Sequence, residues 1–155
     1  MIQKKYIVLN MENLADKNFG KIPAKVDAQQ ILKLLQSGIM ENASGKKYFS
    51  SIKKYSEVND KQISTWLGLS ERTYNTYKHA KTINFKPQLQ EQILMILSVM
   101  KHGKEVFGTF EGFSAWLESE NFHFGNQRPT KYLTTASGIK FVDDCLSAME
   151  YGDNV

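Results

Sequence analysis

The stretch NDKQISTWLGLSERTYNTYK, residues 59–78, decides the fold of the middle of the chain. In its first half, Ile63 and Trp66 fall on one face of a short helix that Asp60 can cap. Gly68 follows and favours a turn with positive φ, where glycine is the least penalised residue. The first half therefore predicts a short amphipathic helix that ends in a glycine turn.

The second half predicts another short helix, which Ser70 can cap and whose Tyr74 and Tyr77 face inward. Two short helices joined by a turn with glycine form the pattern of a helix-turn-helix. A DNA major groove accepts one helix whose exposed polar side chains pair with base edges and phosphates. The candidate DNA contacts on the outward face are Arg72, Asn75, Thr76 and Lys78. The same residues also fit a plain helical hairpin, so both alternatives stay open at this point.

Charge is distributed unevenly along the chain, whose formal net charge is +4. Residues 1–45 carry +2, residues 46–104 carry +7 and residues 105–155 carry −5. The basic middle is a candidate polyanion-binding surface, with a solvated basic face as the alternative. We therefore expect an N-terminal extension with one helix, a helix-turn-helix part over 46–104 and a separate binding part over 105–155.

The overall composition is that of a globular protein, since 41% of the 155 residues are apolar and 23% are charged. No apolar run approaches the ~20 residues that a membrane-spanning helix needs. The N-terminus lacks the apolar stretch and cleavage site of a signal peptide. The single cysteine, Cys145, cannot form an internal disulfide, so we expect a cytoplasmic protein.

Apolar periodicity predicts helices through the rest of the chain, and hence a mostly α fold. Asp27 can cap a helix that buries Ile31, and a second helix is expected to start near residues 44–46. Residues 88–102 predict one long helix with apolar side chains on more than one side. Residues 6–9 are a candidate short strand.

The C-terminal part is expected to consist of short helices that persist only by packing on one another. One helix is predicted over residues 110–119, and Pro129 can open a second. Gly138 is expected to break that second helix. A final helix follows, with an apolar stripe of Ile139, Val142, Leu146 and Met149.

The residues that could carry enzyme chemistry form no catalytic or metal-binding pattern. Cys145 lies beside Asp144, which would raise the pKa of its thiol, and a small buried hydrophobe is the favoured interpretation. The three histidines, His79, His102 and His123, share no ligand spacing. We therefore expect no enzyme activity and no cofactor or metal.

The last fifty residues carry a spaced set of aromatic, glycine and arginine residues. In chain order these are Trp116-Leu117, Gly125-x-x-Arg128-Pro129, Leu133-x-Thr135-x-x-Gly138 and Tyr151-Gly152. This spacing resembles the toxin-binding domain of Xre/MbcA/ParS-type antitoxins. Residues 59–108 resemble the Xre-type helix-turn-helix that precedes this domain in the family, through Leu67-Gly68-Leu69-Ser70-x-Arg72-Thr73.

The resemblance implies an antitoxin that neutralises a toxin encoded beside it. In the best-known branch of the family the partner is a RES-domain toxin, which degrades NAD⁺. The antitoxin blocks the active site of that toxin and, together with it, represses their shared operon as a homodimer on operator DNA. The NAD chemistry would belong to the toxin, so the resemblance implies no cofactor for this chain.

Two departures from the family pattern concern DNA binding. Thr76 stands where family members often have an arginine, and another arginine is replaced within residues 88–92. Fewer basic side chains mean fewer released counterions and weaker phosphate binding. The alternative function is an Xre-like transcriptional regulator without a toxin partner.

The toxin contacts are expected on the acidic C-terminal part. Asp and Glu side chains of the final helix would complement a basic cleft, and the polar segment 151–155 is too short to add to a core. Arg128 either contacts the toxin or holds its own loop. The predicted toxin-binding residues are Arg128, Asp143, Asp144, Glu150 and Tyr151.

Overall fold

The computed structural model describes residues 17–153, which form a bundle of helices. Within this range, residues 17–19 are helical and seven α-helices follow: α1 (Ala28–Gln36), α2 (Asn42–Ser56), α3 (Asp60–Trp66), α4 (Glu71–His79), α5 (Pro87–Phe107), α6 (Phe110–Leu117) and α7 (Ala136–Glu150). Two 3₁₀ helices, Phe122–Phe124 and Pro129–Thr134, lie between α6 and α7. The described range contains no strand, which confirms the mostly α fold. The candidate strand at residues 6–9 lies outside it.

Helix α5 lies at the centre of the bundle, because it packs against α1, α2, α6 and α7. Residues 93–100 are all buried, as the apolar side chains around this helix predict. The helix is longer than the expected 88–102, since it begins at Pro87 and continues to Phe107. It ends where Gly108 adopts a φ of +81°, a left-handed conformation that favours glycine.

The N-terminal helices follow the predicted order with one shifted start. Asp27 caps α1 as expected, by accepting a hydrogen bond of 2.7 Å from the backbone N–H of Gln30. Helix α2 begins at Asn42 rather than near residues 44–46. Its first turn fits because Gly45 has no side chain: a Cβ there would lie 2.1 Å from the carbonyl oxygen of Met40.

The two short helices of the opening stretch form as predicted, with one difference in capping. Asn59, not Asp60, caps α3 by accepting a 2.8 Å hydrogen bond from the backbone N–H of Gln62. This leaves the Asp60 carboxylate free to pair with lysines. Gly68 has a φ of +63° in the turn, and Ser70 caps α4 through a 3.0 Å bond from Thr73 N–H.

Helix α3 is joined to the C-terminal part by buried and half-buried hydrogen bonds. The indole Nε1 of Trp66, which is fully buried, donates to the carbonyl and hydroxyl oxygens of Thr130, both at 3.2 Å. Gln92 of α5 donates to the carbonyl oxygens of Trp66 at 3.1 Å and Leu133 at 3.2 Å. A single buried core therefore includes side chains from all three predicted parts. The boundaries at 45/46 and 104/105 fall inside α2 and α5, and the three-part division stays a prediction.

Gly138 was expected to break the helix that Pro129 opens, but it does not break a helix. It lies in the first turn of α7, where its N–H donates to the Oγ1 of Thr135, the N-cap, at 3.0 Å. A Cβ at this position would lie 1.9 Å from the carbonyl oxygen of Tyr132. The Thr135-x-x-Gly138 spacing is therefore a cap followed by a close backbone contact between the 3₁₀ helix and α7.

Candidate functional sites

The exposed face of α4 contains most of the predicted DNA contacts. Arg72, Asn75 and Thr76 are exposed, and their spacing of three and four residues places them on one face together with His79. Lys78 is also exposed but lies at the edge of this face, because its Nζ is 2.8 Å from a carboxylate oxygen of Asp60. The structure therefore brings three of the four predicted residues together and turns the fourth toward α3.

Asp60 holds the α3–α4 pair against α2 through two lysines. Its carboxylate lies 2.8 Å from Lys78 Nζ and 3.3 Å from Lys53 Nζ. The hydrogen bond from Lys78, followed by that from Lys53, lowers the pKa of Asp60 below its ordinary value. Lys78 would therefore have to leave a carboxylate before it could bind a phosphate.

A tight loop between α6 and α7 presents aromatic side chains in opposite directions. The backbone N–H of Asn121 donates to the carbonyl of Gln127 at 3.1 Å, and its side chain accepts from His123 N–H at 2.9 Å. Within the loop, Phe124 is fully buried whereas Phe122 is 82% exposed. The hydrogen bonds thus fix the backbone that carries the exposed ring of Phe122.

Phe122 is an exposed residue that the sequence pattern did not single out, although a signal was present. In the turn Phe122-His123-Phe124, the two phenylalanines are two residues apart, so one tight turn cannot bury both. Among the described residues, Phe122 and Tyr151 are the most exposed large hydrophobic side chains, each at 82%, followed by Leu32 at 52%. Exposed aromatic rings of this kind are common anchors of protein interfaces.

Arg128 is exposed at the end of the same loop. Its guanidinium lies 3.6 Å from a carboxylate oxygen of Glu118, and both side chains remain accessible to solvent. The next residue, Pro129, is buried and opens the 3₁₀ helix. The position of Arg128 is compatible with both of its predicted roles.

Asp143 lies in the core, so its prediction as a surface contact for the toxin is wrong. Only 2% of the residue is exposed, and one carboxylate oxygen lies 2.7 Å from Nδ1 of the fully buried His102. The other oxygen accepts a 3.1 Å hydrogen bond from the backbone N–H of Val26. Its carboxylate is thus already paired inside the protein, and a partner cannot reach it without unfolding this region.

The other acidic residues of α7 are accessible. Asp144 is exposed and pairs with Lys140 one turn earlier. Glu150 is exposed at the end of the helix, where one carboxylate oxygen lies 2.5 Å from Lys25 Nζ and the other 3.4 Å from His102 Nε2. Tyr151 follows directly, with Lys25 Nζ 5.9 Å from its ring centroid. Asp144, Glu150 and Tyr151 therefore occupy the outer surface at the C-terminal half of α7.

Cys145 is the small buried hydrophobe that the sequence predicts. The residue is 7% exposed, and burial, followed by the charge of Asp144, raises the pKa of its thiol. In residues 17–153, His, Cys, Asp and Glu side chains form no group of three that could hold a metal ion. Over the same residues, no helix has the length and apolar character required to cross a membrane.

Comparison with known proteins identifies the C-terminal part of this helical bundle as a binding domain. Residues 102–152 match the model of the antitoxin Xre/MbcA/ParS C-terminal toxin-binding domain. The match confirms the resemblance of these residues to the toxin-binding domain of Xre/MbcA/ParS-type antitoxins. The matched range begins at His102 and does not include α3 or α4. Comparison with curated proteins finds no match.

Proposed function

We propose that this protein is the antitoxin of a type II toxin–antitoxin pair and blocks the active site of a RES-type, NAD-degrading toxin. The observation that carries this proposal is the toxin-binding domain at residues 102–152, in which two aromatic side chains are left exposed. Phe122 and Tyr151 project from segments that are themselves fixed to the core. Aromatic side chains on an ordered backbone have only two torsions to fix on binding, so they suit a tight inhibitory complex.

The end of α7 is the segment proposed to enter the toxin. Backbone N–H groups of Tyr151, Gly152 and Asp153 donate to carbonyls of the last helical turn, between 3.0 and 3.1 Å. This defined end carries Glu150 and Tyr151 at the surface, and Asp144 is exposed about two turns earlier on the same helix. Carboxylates there would favour encounter with a basic cleft and would raise the association rate more than the final affinity.

The test compares single alanine variants of the full chain. Each of Phe122→Ala and Tyr151→Ala should weaken the toxin complex by about 2 kcal/mol, or roughly 30-fold in Kd. Leu32→Ala is the matched control, because Leu32 is 52% exposed on α1, outside the toxin-binding domain. Deletion of residues 151–155 should restore toxicity in cells that also express the product of the adjacent reading frame, with a fall in cellular NAD⁺.

Three outcomes would contradict parts of the proposal. If the truncated chain still protects the cells and copurifies with the toxin, the binding surface lies elsewhere on the domain. If toxicity returns without loss of NAD⁺, the toxin is not of the RES type. If no toxin is encoded nearby, the function is that of a regulator without a toxin partner.

Operator binding by the α3–α4 pair, acting as a helix-turn-helix in a homodimer, is the second part of the proposed function. It is supported by the charge of +7 over residues 46–104 and by the exposed polar face of α4. In a dimer, two such helices would enter successive major grooves about 34 Å apart. Arg72→Ala should reduce the preference for the chain's own promoter over a scrambled duplex, as measured by gel-shift titration. Unchanged preference would remove α4 as the recognition element.

A further inference from the structure

A groove lined by lysines lies on the outer side of α2. It has a volume of about 570 Å³ and is formed by Lys17, Asn18, Lys46, Lys47, Ser50, Ser51 and Lys54. Of the seven described residues that line it, four are lysines and none is Asp or Glu. We call it the lysine groove. The groove presents ammonium groups with hydroxyl and amide groups between them. These groups can donate hydrogen bonds to phosphate oxygens.

The sequence of α2 places these side chains together. Residues 46, 47, 50, 51 and 54 recur at helical spacing and lie opposite the buried face of Tyr48, Phe49, Ile52 and Tyr55. Burial of those four side chains fixes the rotation of α2, so Lys47 and Lys54 are exposed to solvent. The exposed lysine face is therefore a consequence of how the core is packed.

Lys46 connects the lysine groove to α4. Its Nζ donates to the carbonyl oxygens of Tyr77 at 2.5 Å and Lys78 at 2.6 Å, in the last turn of that helix. A cation at this end of a helix also interacts favourably with the helix dipole. The groove therefore begins where α4 ends, and the two surfaces are adjacent.

The remaining lysines of the groove are not neutralised within the described part of the protein. Between residues 17 and 153, no ion pair involves Lys17, Lys47 or Lys54. Lys53 on the same helix differs, because Asp60 binds it at 3.3 Å. Three ammonium groups that pair with no carboxylate of residues 17–153 leave a positive potential along the groove, which an external anion can satisfy.

We propose that the lysine groove binds the phosphodiester backbone of duplex DNA next to the bases that α4 contacts. This inference rests on the proposed operator binding and adds a phosphate-binding surface that α4 alone does not supply. Such contacts position a protein on the duplex without distinguishing its sequence.

The experiment measures the affinity of the full-length protein for its own promoter duplex and for a scrambled duplex, at salt concentrations between about 50 and 200 mM. The test variant is Lys47→Gln/Lys54→Gln. The control is Lys33→Gln/Lys104→Gln, which removes the same charge at exposed lysines outside the groove. Circular dichroism checks that both variants retain their helices.

The groove variant should bind both duplexes more weakly and by the same factor. Its plot of log affinity against log salt should be less steep by about 1.8, or 0.9 for each phosphate that the protein no longer neutralises. The control variant should keep a slope nearer to that of the wild type, and Arg72→Ala should mainly change the ratio between the two duplexes.

The outcomes separate this inference from the proposed function. If the wild-type protein binds neither duplex, operator binding fails and the groove proposal fails with it. If the wild type binds but the groove variant keeps its affinity and salt slope, only the groove proposal is overturned. A groove variant that loses toxin binding while keeping DNA binding would assign the lysines to a protein partner and would also overturn it.

Discussion

His102 Nδ1 and a carboxylate oxygen of Asp143 lie 2.7 Å apart in the interior of the protein, with side chains that are 0% and 2% exposed. The contact joins α5 to α7, and the second carboxylate oxygen of Asp143 binds the backbone N–H of Val26. One buried carboxylate thus holds two helices and the segment that precedes α1. It fixes this segment beside the C-terminal end of α7, where Lys25 meets Glu150.

The first prediction concerns this carboxylate. Asp143→Asn should lower the free energy of unfolding by roughly 1–3 kcal/mol, because one amide cannot replace both hydrogen bonds of the charged group. Asp144→Asn is the matched control, since the neighbouring side chain is exposed, and it should change stability by no more than about 0.5 kcal/mol. Urea unfolding followed by circular dichroism measures both values. Equal effects of the two substitutions would show that the buried contact contributes nothing specific.

The placement of Asp143 could have been predicted from the sequence in part. On a helical wheel, Asp143 lies 40° from Ile139 and Glu150 lies 20° from it, both within or beside the apolar stripe. Asp144, at 140°, lies outside it. Periodicity could therefore have shown that Asp143 lies on the core side of α7, with Glu150 at the exposed end of the same stripe. It could not have shown their partner, because His102 is 41 residues earlier and the contact depends on how α5 and α7 pack.

The helices themselves were predictable because each carries a local signal. Ser70, Gly68 and the apolar positions around them determine the α3–α4 pair without reference to the rest of the chain. The exposed ring of Phe122 and the lysine groove depend instead on tertiary packing. The charge distribution along the sequence indicated a basic middle part. The contact between Lys46 and the end of α4, however, joins residues about thirty positions apart, and no local sequence pattern specifies such a contact.

The second prediction concerns the backbone contact at Gly138. Gly138→Ala should destabilise the protein by about 3 kcal/mol or more, because the added Cβ would overlap the carbonyl oxygen of Tyr132 and force the 3₁₀ helix away from α7. Gly68→Ala provides the comparison. Gly68 has a φ of +63° but no atom within 4 Å of an added Cβ, so only conformational strain of about 1–2 kcal/mol is expected. A smaller effect at Gly138 than at Gly68 would contradict the close contact.

The third prediction concerns the reactivity of Cys145. The thiol should react slowly with an aromatic disulfide reagent at neutral pH, because burial and the nearby Asp144 keep its pKa high and little of the residue is accessible. In denaturant the reaction should reach the rate of a free thiol. Absorbance of the released thiolate measures both rates. Fast labelling of the folded protein would mean that the interior face of α7 opens readily.

The fourth prediction concerns pH and the Lys25–Glu150 pair. The hydrogen bond from Lys25, with a further contribution from the charge of His102, lowers the pKa of Glu150 below its ordinary 4.5. The unfolded chain therefore takes up a proton at a higher pH than the folded protein does. The stabilisation by this carboxylate should be complete above about pH 4.5. It should be lost as the pH falls through the lower pKa that Glu150 has in the folded protein.

The measurement compares the wild type with Glu150→Gln by urea unfolding at a series of pH values. The difference between their unfolding free energies should be constant near neutral pH and should shrink as Glu150 is protonated in the acid range. At alkaline pH, the hydrogen bond to Glu150 raises the pKa of Lys25 above its ordinary 10.5. The ion pair should therefore persist past pH 10.5 before Lys25 loses its proton. In a Lys25→Met background the acid dependence should weaken, since only His102 then remains beside the carboxylate. A difference between wild type and Glu150→Gln that is the same at every pH would show that the pair does not anchor the end of α7.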